Sequence, residues 1–353
     1  MTMDPSSPTM TTQAPETPLL AFLTSDRFPE ARWHLGGAFR FDFVLQNLVD
    51  FLQKQTPGLF TLSGIGGAPP CLWTIDWFRQ RPLANLQVFQ RRLEDYARAG
   101  TGVTVEFDSP VIGDDELRDA AANRLLQELY QRDRVRKNAV AVANDKLARH
   151  IRRELPKLPL YAHVNRAVME KAKRTADFYN KLTEHYDLVT LHPADCTDGK
   201  LLDGLEDPSR FMIVINDTCL RGCPVRREHM ALLAQLRRRP LSAELSAGRA
   251  RFLQTTGCES IDRDVLRQNR TLSMTEQDIK SLYERGIVHL IVQDASLRNE
   301  VTVIWETLRA LFGSSPELAH KIGCLLSSFM AGCAPSMKKL PSGLGRFSFG
   351  NYD

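Results

Sequence analysis

The sequence predicts an α/β fold, a (β/α)8 TIM-like barrel with extra terminal helices. Three observations predict it. Short runs rich in Val, Ile, Leu and Thr recur along the chain, amphipathic helical stretches lie between them, and each run gives way to polar residues at its C-terminal end. Runs of four to eight apolar residues are the mark of parallel strands buried on both faces. An open doubly wound sheet is the alternative arrangement of the same pieces.

The chain begins with residues 1–17, rich in Ser, Thr and Pro, which cannot support a packed core and read as a disordered tail. With no basic or apolar leader there, a cytoplasmic location is expected. Residues 41–55 look like a helix ahead of the first strand. The strand expectations are 58–67, 102–110, 138–145, 159–166, 187–195, 210–217, 251–258 and 288–295. Helices are expected at 115–132, 144–155, 174–186 and 226–238. A capping box over Ser273–Glu276 opens a further helix that Gly286 closes. Residues 297–332 read as two closing helices and 335–353 as a C-terminal tail, so 18–334 form one barrel domain.

Bulk properties exclude little. The 353 residues are 43% hydrophobic, enough for one large core, and the net charge of +4 argues for no particular partner. No apolar run reaches the roughly 18 residues of a membrane helix, so no membrane partner is expected. Seven cysteines in a reducing compartment point to metal binding or burial rather than disulfides.

The strand ends carry the candidate chemistry. Glu106, Asp108, Asn144, Asp145, Asn165, Arg166, His192, Asp195, Asn216, Asp217 and Asp294 all fall there, and in a barrel those ends meet on one face. Asn144, Asp145 and Asp217 read first as helix caps. Glu106, His192 and Asp195 are the catalytic candidates.

Four cysteines fall on the same rim. Cys219 and Cys223 form a C-x3-C pair in the loop after strand 210–217, a spacing that both zinc and iron–sulfur sites use. Cys196 follows the preceding strand and Cys258 ends the next. Successive parallel strands lie about 4.8 Å apart, so three adjacent ends can converge on one metal centre. The expected cofactor is an iron–sulfur cluster, 4Fe–4S in type, held by Cys196, Cys219, Cys223 and Cys258, with zinc as the alternative. Cys71, after strand 58–67, is a reserve ligand. Arg221, Arg226 and Arg227 can offset the charge of a thiolate site or be solvated at the surface. Gly64, Gly66 and Gly67 are not followed by a dinucleotide-binding helix, and no Walker, zincin or serine-hydrolase motif occurs.

The order of these pieces resembles the collagenase-like peptidase superfamily, whose relatives include oxygen-independent hydroxylases of ubiquinone biosynthesis and RNA-hydroxylating enzymes. One ubiquinone-hydroxylation subunit uses a C-x3-C pair with a further cysteine upstream, and Cys219, Cys223 and Cys196 resemble that arrangement. Residues Asn216 to His229 are also similar to an N-x-x-C-P-x-x-C-P-x-R-x-x-H element of an uncharacterised bacterial group. The peptidase branch's long signature of glutamate and histidine is not found. The resemblance implies an iron–sulfur oxidoreductase or hydroxylase acting on a small molecule or RNA, with an electron donor or protein partner. The alternatives are a peptidase-like metal-dependent hydrolase and a non-catalytic subunit that carries the cluster.

Overall fold

The structure, a computed structural model, describes residues 28–39, 61–69, 71–75, 86–217, 223–238, 247–248, 251, 254 and 274–293. Eight strands run in chain order around a closed, all-parallel barrel. They are β1 (Arg32–Gly36), β2 (Thr61–Gly67), β3 (Val103–Phe107), β4 (Ala139–Val142), β5 (Leu160–Ala162), β6 (Leu188–Thr190), β7 (Phe211–Val214) and β8 (His289–Val292). β1 closes the ring by pairing with β2 on one side and β8 on the other.

The described helices are α1 (Leu86–Arg98), α2 (Ala120–Gln131), α3 (Asp145–Glu154), α4 (Val164–Val168), α5 (Ala176–Thr183), α6 (Gly199–Asp203), α7 (Arg226–Arg238) and α8 (Glu276–Glu284). Their starts are written in side chains. Asp119 accepts from the Ala121 and Ala122 N–H groups ahead of α2, and Asn144 accepts from Lys146 and Leu147 ahead of α3. Thr275 and Asp278 form the capping box of α8, two residues later in the chain than Ser273 suggested. Each helix then buries one stripe, such as Leu125, Leu126 and Leu129 of α2 or Leu147 and Ile151 of α3.

Alternation along the strands divides the core. Trp33, Ile65, Val105, Phe107, Val140, Val142, Ile213 and Leu290 are buried in the main apolar cluster with the helix stripes. The intervening positions line the barrel interior. Barrel interiors are usually filled by branched aliphatics. Here the interior includes His34, Thr104, Glu106, Tyr161, His163, Thr190 and Gln293.

Seven of the expected strands match β2 to β8. The expected strand at 251–258 is a correction: Arg251 and Gln254 are helical, and β7 pairs directly with β8. The missing strand is β1, and α1 was not anticipated. The expected segments 1–17, 41–55, 297–332 and 335–353 lie outside the described residues.

One close approach fixes the start of β3. A Cβ on Gly102 would lie 2.2 Å from the Lys137 carbonyl oxygen, just ahead of β4. Backbone cannot swing aside as a side-chain tip can, so Gly102→Ala is expected to destabilise by more than about 2 kcal/mol. Chemical denaturation checks this; an unchanged midpoint would contradict it.

Candidate functional site

The C-terminal mouth of the barrel gathers polar side chains on rigid strand ends. Asn216, just past β7, donates through Nδ2 to the Gln293 carbonyl at 2.8 Å and accepts from the Gln293 N–H at 2.7 Å. Its amide thereby continues the β7–β8 ladder by one rung. Asp108, past β3, accepts from the Ile75 N–H at 2.6 Å, and the Asn165 amide donates to the Asp108 carbonyl at 2.9 Å.

Asp195 is the hub of the mouth. Arg174 donates to its two oxygens from Nε at 2.6 Å and Nη2 at 3.0 Å, a bidentate pair. The Tyr179 hydroxyl donates to the same carboxylate at 2.6 Å and accepts from the His192 N–H at 3.0 Å. Burial, with the Asp195 charge beside it, raises the Tyr179 pKa well above its ordinary value, so the phenol stays protonated. The helix α5, the loop after β6 and the β6 end are thus tied through one carboxylate.

His192 is set by that hub. Its Nδ1 accepts from the Ala194 N–H at 3.1 Å, and burial followed by the charges of Arg174 and Arg226 lowers its pKa to about 3. Cys196 lies beneath it, 3% exposed, with its thiol donating to the His192 carbonyl at 3.5 Å. Cys223 is different: it is partly exposed and lines an open cleft of about 330 Å³ with Arg174, His192 and Arg226. Arg226 is no solvated surface arginine. It forms a buried ion pair with Asp217 at 2.7 Å. Cys71 is packed into the core at 1% exposure.

Glu106 belongs to a second space. It lines a narrow, partly open chamber of about 30 Å³ within the barrel, shared with His34, Tyr161 and His163. A Cβ on Gly66 would lie 2.7 Å from Glu106 Oε1, so the glycine makes the berth that the carboxylate occupies. His34 and His289 share a hydrogen bond, Nε2 to Nδ1 at 2.9 Å, on the ring-closing strands.

The structure therefore places His192 and Cys223 on one cleft, Asp195 behind it, and Glu106 inside the barrel. Cys219, Cys258 and Asp294 lie outside the described residues. In sequence Cys258 falls between β7 and β8, which pair directly. Among the described residues no group of three or more His, Cys, Asp or Glu side chains is placed to hold a metal ion. Sequence reasoning missed His34, His289, Tyr161, His163, Arg174 and Tyr179. The signal for His163 lay in PLYAHVNR, where a histidine ends an apolar run; Arg174 and Tyr179 sit in a helical stretch that gave none.

Neither the models of protein families nor the curated proteins give a match to the sequence. Among solved structures, the U32 peptidase Mk0906 superposes with a TM-score of 0.45 at 14% identity, over 74% of this chain and 92% of that one. Those values carry neither a fold nor an activity across, and the barrel stands on its own strand pairing. Among the described residues no helix is long and apolar enough to cross a membrane.

Two outcomes follow from this geometry. Tyr179→Phe removes the hydroxyl that joins Asp195 to the His192 backbone and leaves a buried N–H without its acceptor. A loss of about 1–3 kcal/mol is expected by denaturation, and a neutral effect would refute the hub. The second outcome concerns pH. His34 and His289 have an ordinary pKa of 6.5, lowered in the folded chain to about 3 and about 4, with burial the main cause. As pH falls below 6.5 the unfolded chain takes up these protons first, so stability is whole above that pH and declines toward pH 4. At pH 5 each ring accounts for a loss on the order of 2 kcal/mol. Thermal melts should show this slope, and a His34→Gln/His289→Gln double variant should remove about half of it, His163 and His192, also lowered to about 3, accounting for the rest.

Proposed function

We propose that this barrel is an enzyme of the iron–sulfur oxidoreductase or hydroxylase kind, working at its C-terminal mouth on a small molecule or RNA. The observation that supports this best is the cleft in which the Cys223 thiol shares one wall with His192, Arg174 and Arg226. The sequence resemblance to the hydroxylase branch of the collagenase-like superfamily points the same way.

The described donors suit a thiolate-ligated centre in part. Cys223 presents a partly exposed thiol, and the guanidinium groups beside it, though paired with carboxylates, would add hydrogen-bond donors around a thiolate-ligated centre. Cys219, Cys223 and Cys258 would hold the cluster, with Cys196 as fourth ligand once its thiol turns from the His192 carbonyl, or Cys71 in its place. A bound cluster supplies one-electron transfer, with electrons drawn from a protein donor. The remaining residues bind and orient. Asp195 positions Arg174 and His192. Glu106 offers a carboxylate to the chamber under the mouth, where it can take or return a proton.

A hydrolase reading draws on that same Glu106, the interior carboxylate that Gly66 accommodates. Anaerobic purification followed by iron, sulfide and zinc analysis separates the two. The cluster reading expects iron and sulfide together, lowered by Cys219→Ser, Cys223→Ser and Cys258→Ser and unaffected by Cys324→Ser. Cys196→Ser assigns the fourth ligand. Zinc without sulfide, or metal content indifferent to all three substitutions, would overturn it.

A further inference from the structure

Arg226 carries more donors than its salt bridge uses. It is 5% exposed, its Nη1 donates to Asp217, and its buried Nε–H has no partner. A buried guanidinium N–H left unbonded is costly, because its water was removed and nothing replaced it. Arg226 also lines the open cleft, so a small rotation of its guanidinium would present this buried N–H to an acceptor entering there.

Two histidines beside it are held as neutral donors. His163 Nδ1 accepts from the Asn165 N–H at 3.2 Å, and His192 Nδ1 accepts from the Ala194 N–H at 3.1 Å. A backbone N–H can only donate, so each ring must carry its proton on Nε2. Among the described residues neither Nε2–H meets a protein acceptor. Both rings feel the charge of Arg226.

The acceptors near this wall are already committed. Asp195 is taken by Arg174 and Tyr179, and Asp217 by Arg226. Glu170 accepts from the Lys171 and Ala172 N–H groups, and Glu228 from Arg227. What remains is a surplus of N–H groups facing a cleft of about 330 Å³, small-ligand size.

We propose that the mouth binds a small ligand through an oxyanion group, a carboxylate or phosphate that accepts hydrogen bonds from Arg226 Nε–H and His192 Nε2–H. Because Asp217 already neutralises Arg226, one added negative charge is received by fixed dipoles without crowding other carboxylates. The inference rests on the barrel mouth being the functional site and narrows its substrate to an anion; it does not require the cluster.

Isothermal titration of the full chain with inorganic phosphate, acetate and succinate tests it, the three probes separating phosphate from carboxylate. At least one should bind. Arg226→Lys keeps the charge opposite Asp217 but removes Nε–H, and should weaken binding about tenfold. His192→Asn keeps an acceptor for the Ala194 N–H but removes the Nε2–H donor, and should weaken it about fivefold. Lys181→Ala, an exposed site on α5, should change nothing. If Arg226→Lys does not fold, His192→Asn decides alone. No binding by any probe overturns the inference, as does binding indifferent to both substitutions. Anion binding by a chain that takes up no iron supports it while removing only the cluster, and iron uptake without anion binding overturns it alone.

Discussion

Closure of the barrel hangs on β1 lying between β2 and β8. With that strand in place every strand has two hydrogen-bonded neighbours and no edge is left to pair with another chain. Closure also decides what each residue type is for. Outward positions face helices and must be apolar, as Trp33, Val105 and Leu290 are. Inward positions face one another across a narrow space. Polar groups there find partners across the space, as His34 Nε2 and His289 Nδ1 do at the seam itself, while His34 Nδ1 is buried without one. The ring therefore supplies both the stability and the narrow polar interior beneath the mouth.

Above the ring, the Asp195 carboxylate does for the loops what the ladder does for the strands. It joins α5 to the loop after β6 through charge-assisted bonds that lie largely out of water. Such a pair contributes little if solvated but holds direction well when its lone pairs are filled. Direction is what the mouth needs. His192 keeps one tautomer because its backbone and Nδ1 are both occupied, and Arg174 keeps its plane because two of its nitrogens are.

The fold was legible where the chain obeys the buried-strand pattern. Phe211–Val214 and Ala139–Val142 are unbroken apolar runs and needed no more than that. β1 was not, because Arg32-Trp33-His34-Leu35-Gly36 puts a histidine and a glycine where a run should be apolar. Those residues face the interior, a preference no local pattern reveals. Residues 251–258 misled for the opposite reason: Phe252, Leu253 and two threonines imitate a strand, while Arg251 and Gln254 are wound into helix. Short apolar runs are ambiguous between the two. At the site, the positions of His192 and Asp195 just past β6 followed from strand ends alone, whereas Glu106, expected on the same rim, lies within β3 and faces the barrel interior. The pairing of Arg174 with Asp195 did not, because residues 21 apart meet only once β6 has been laid beside β5.

The size of the interior chamber sets a rule for any chemistry here. About 30 Å³ admits one or two water molecules and nothing larger. A molecule bound at the mouth would therefore rest above Glu106, with room only for water between them. Proton traffic between them would have to run along a short file of water. The residues placed to choose the molecule would then be those of the mouth, where Arg174, His192, Cys223 and Arg226 line the cleft.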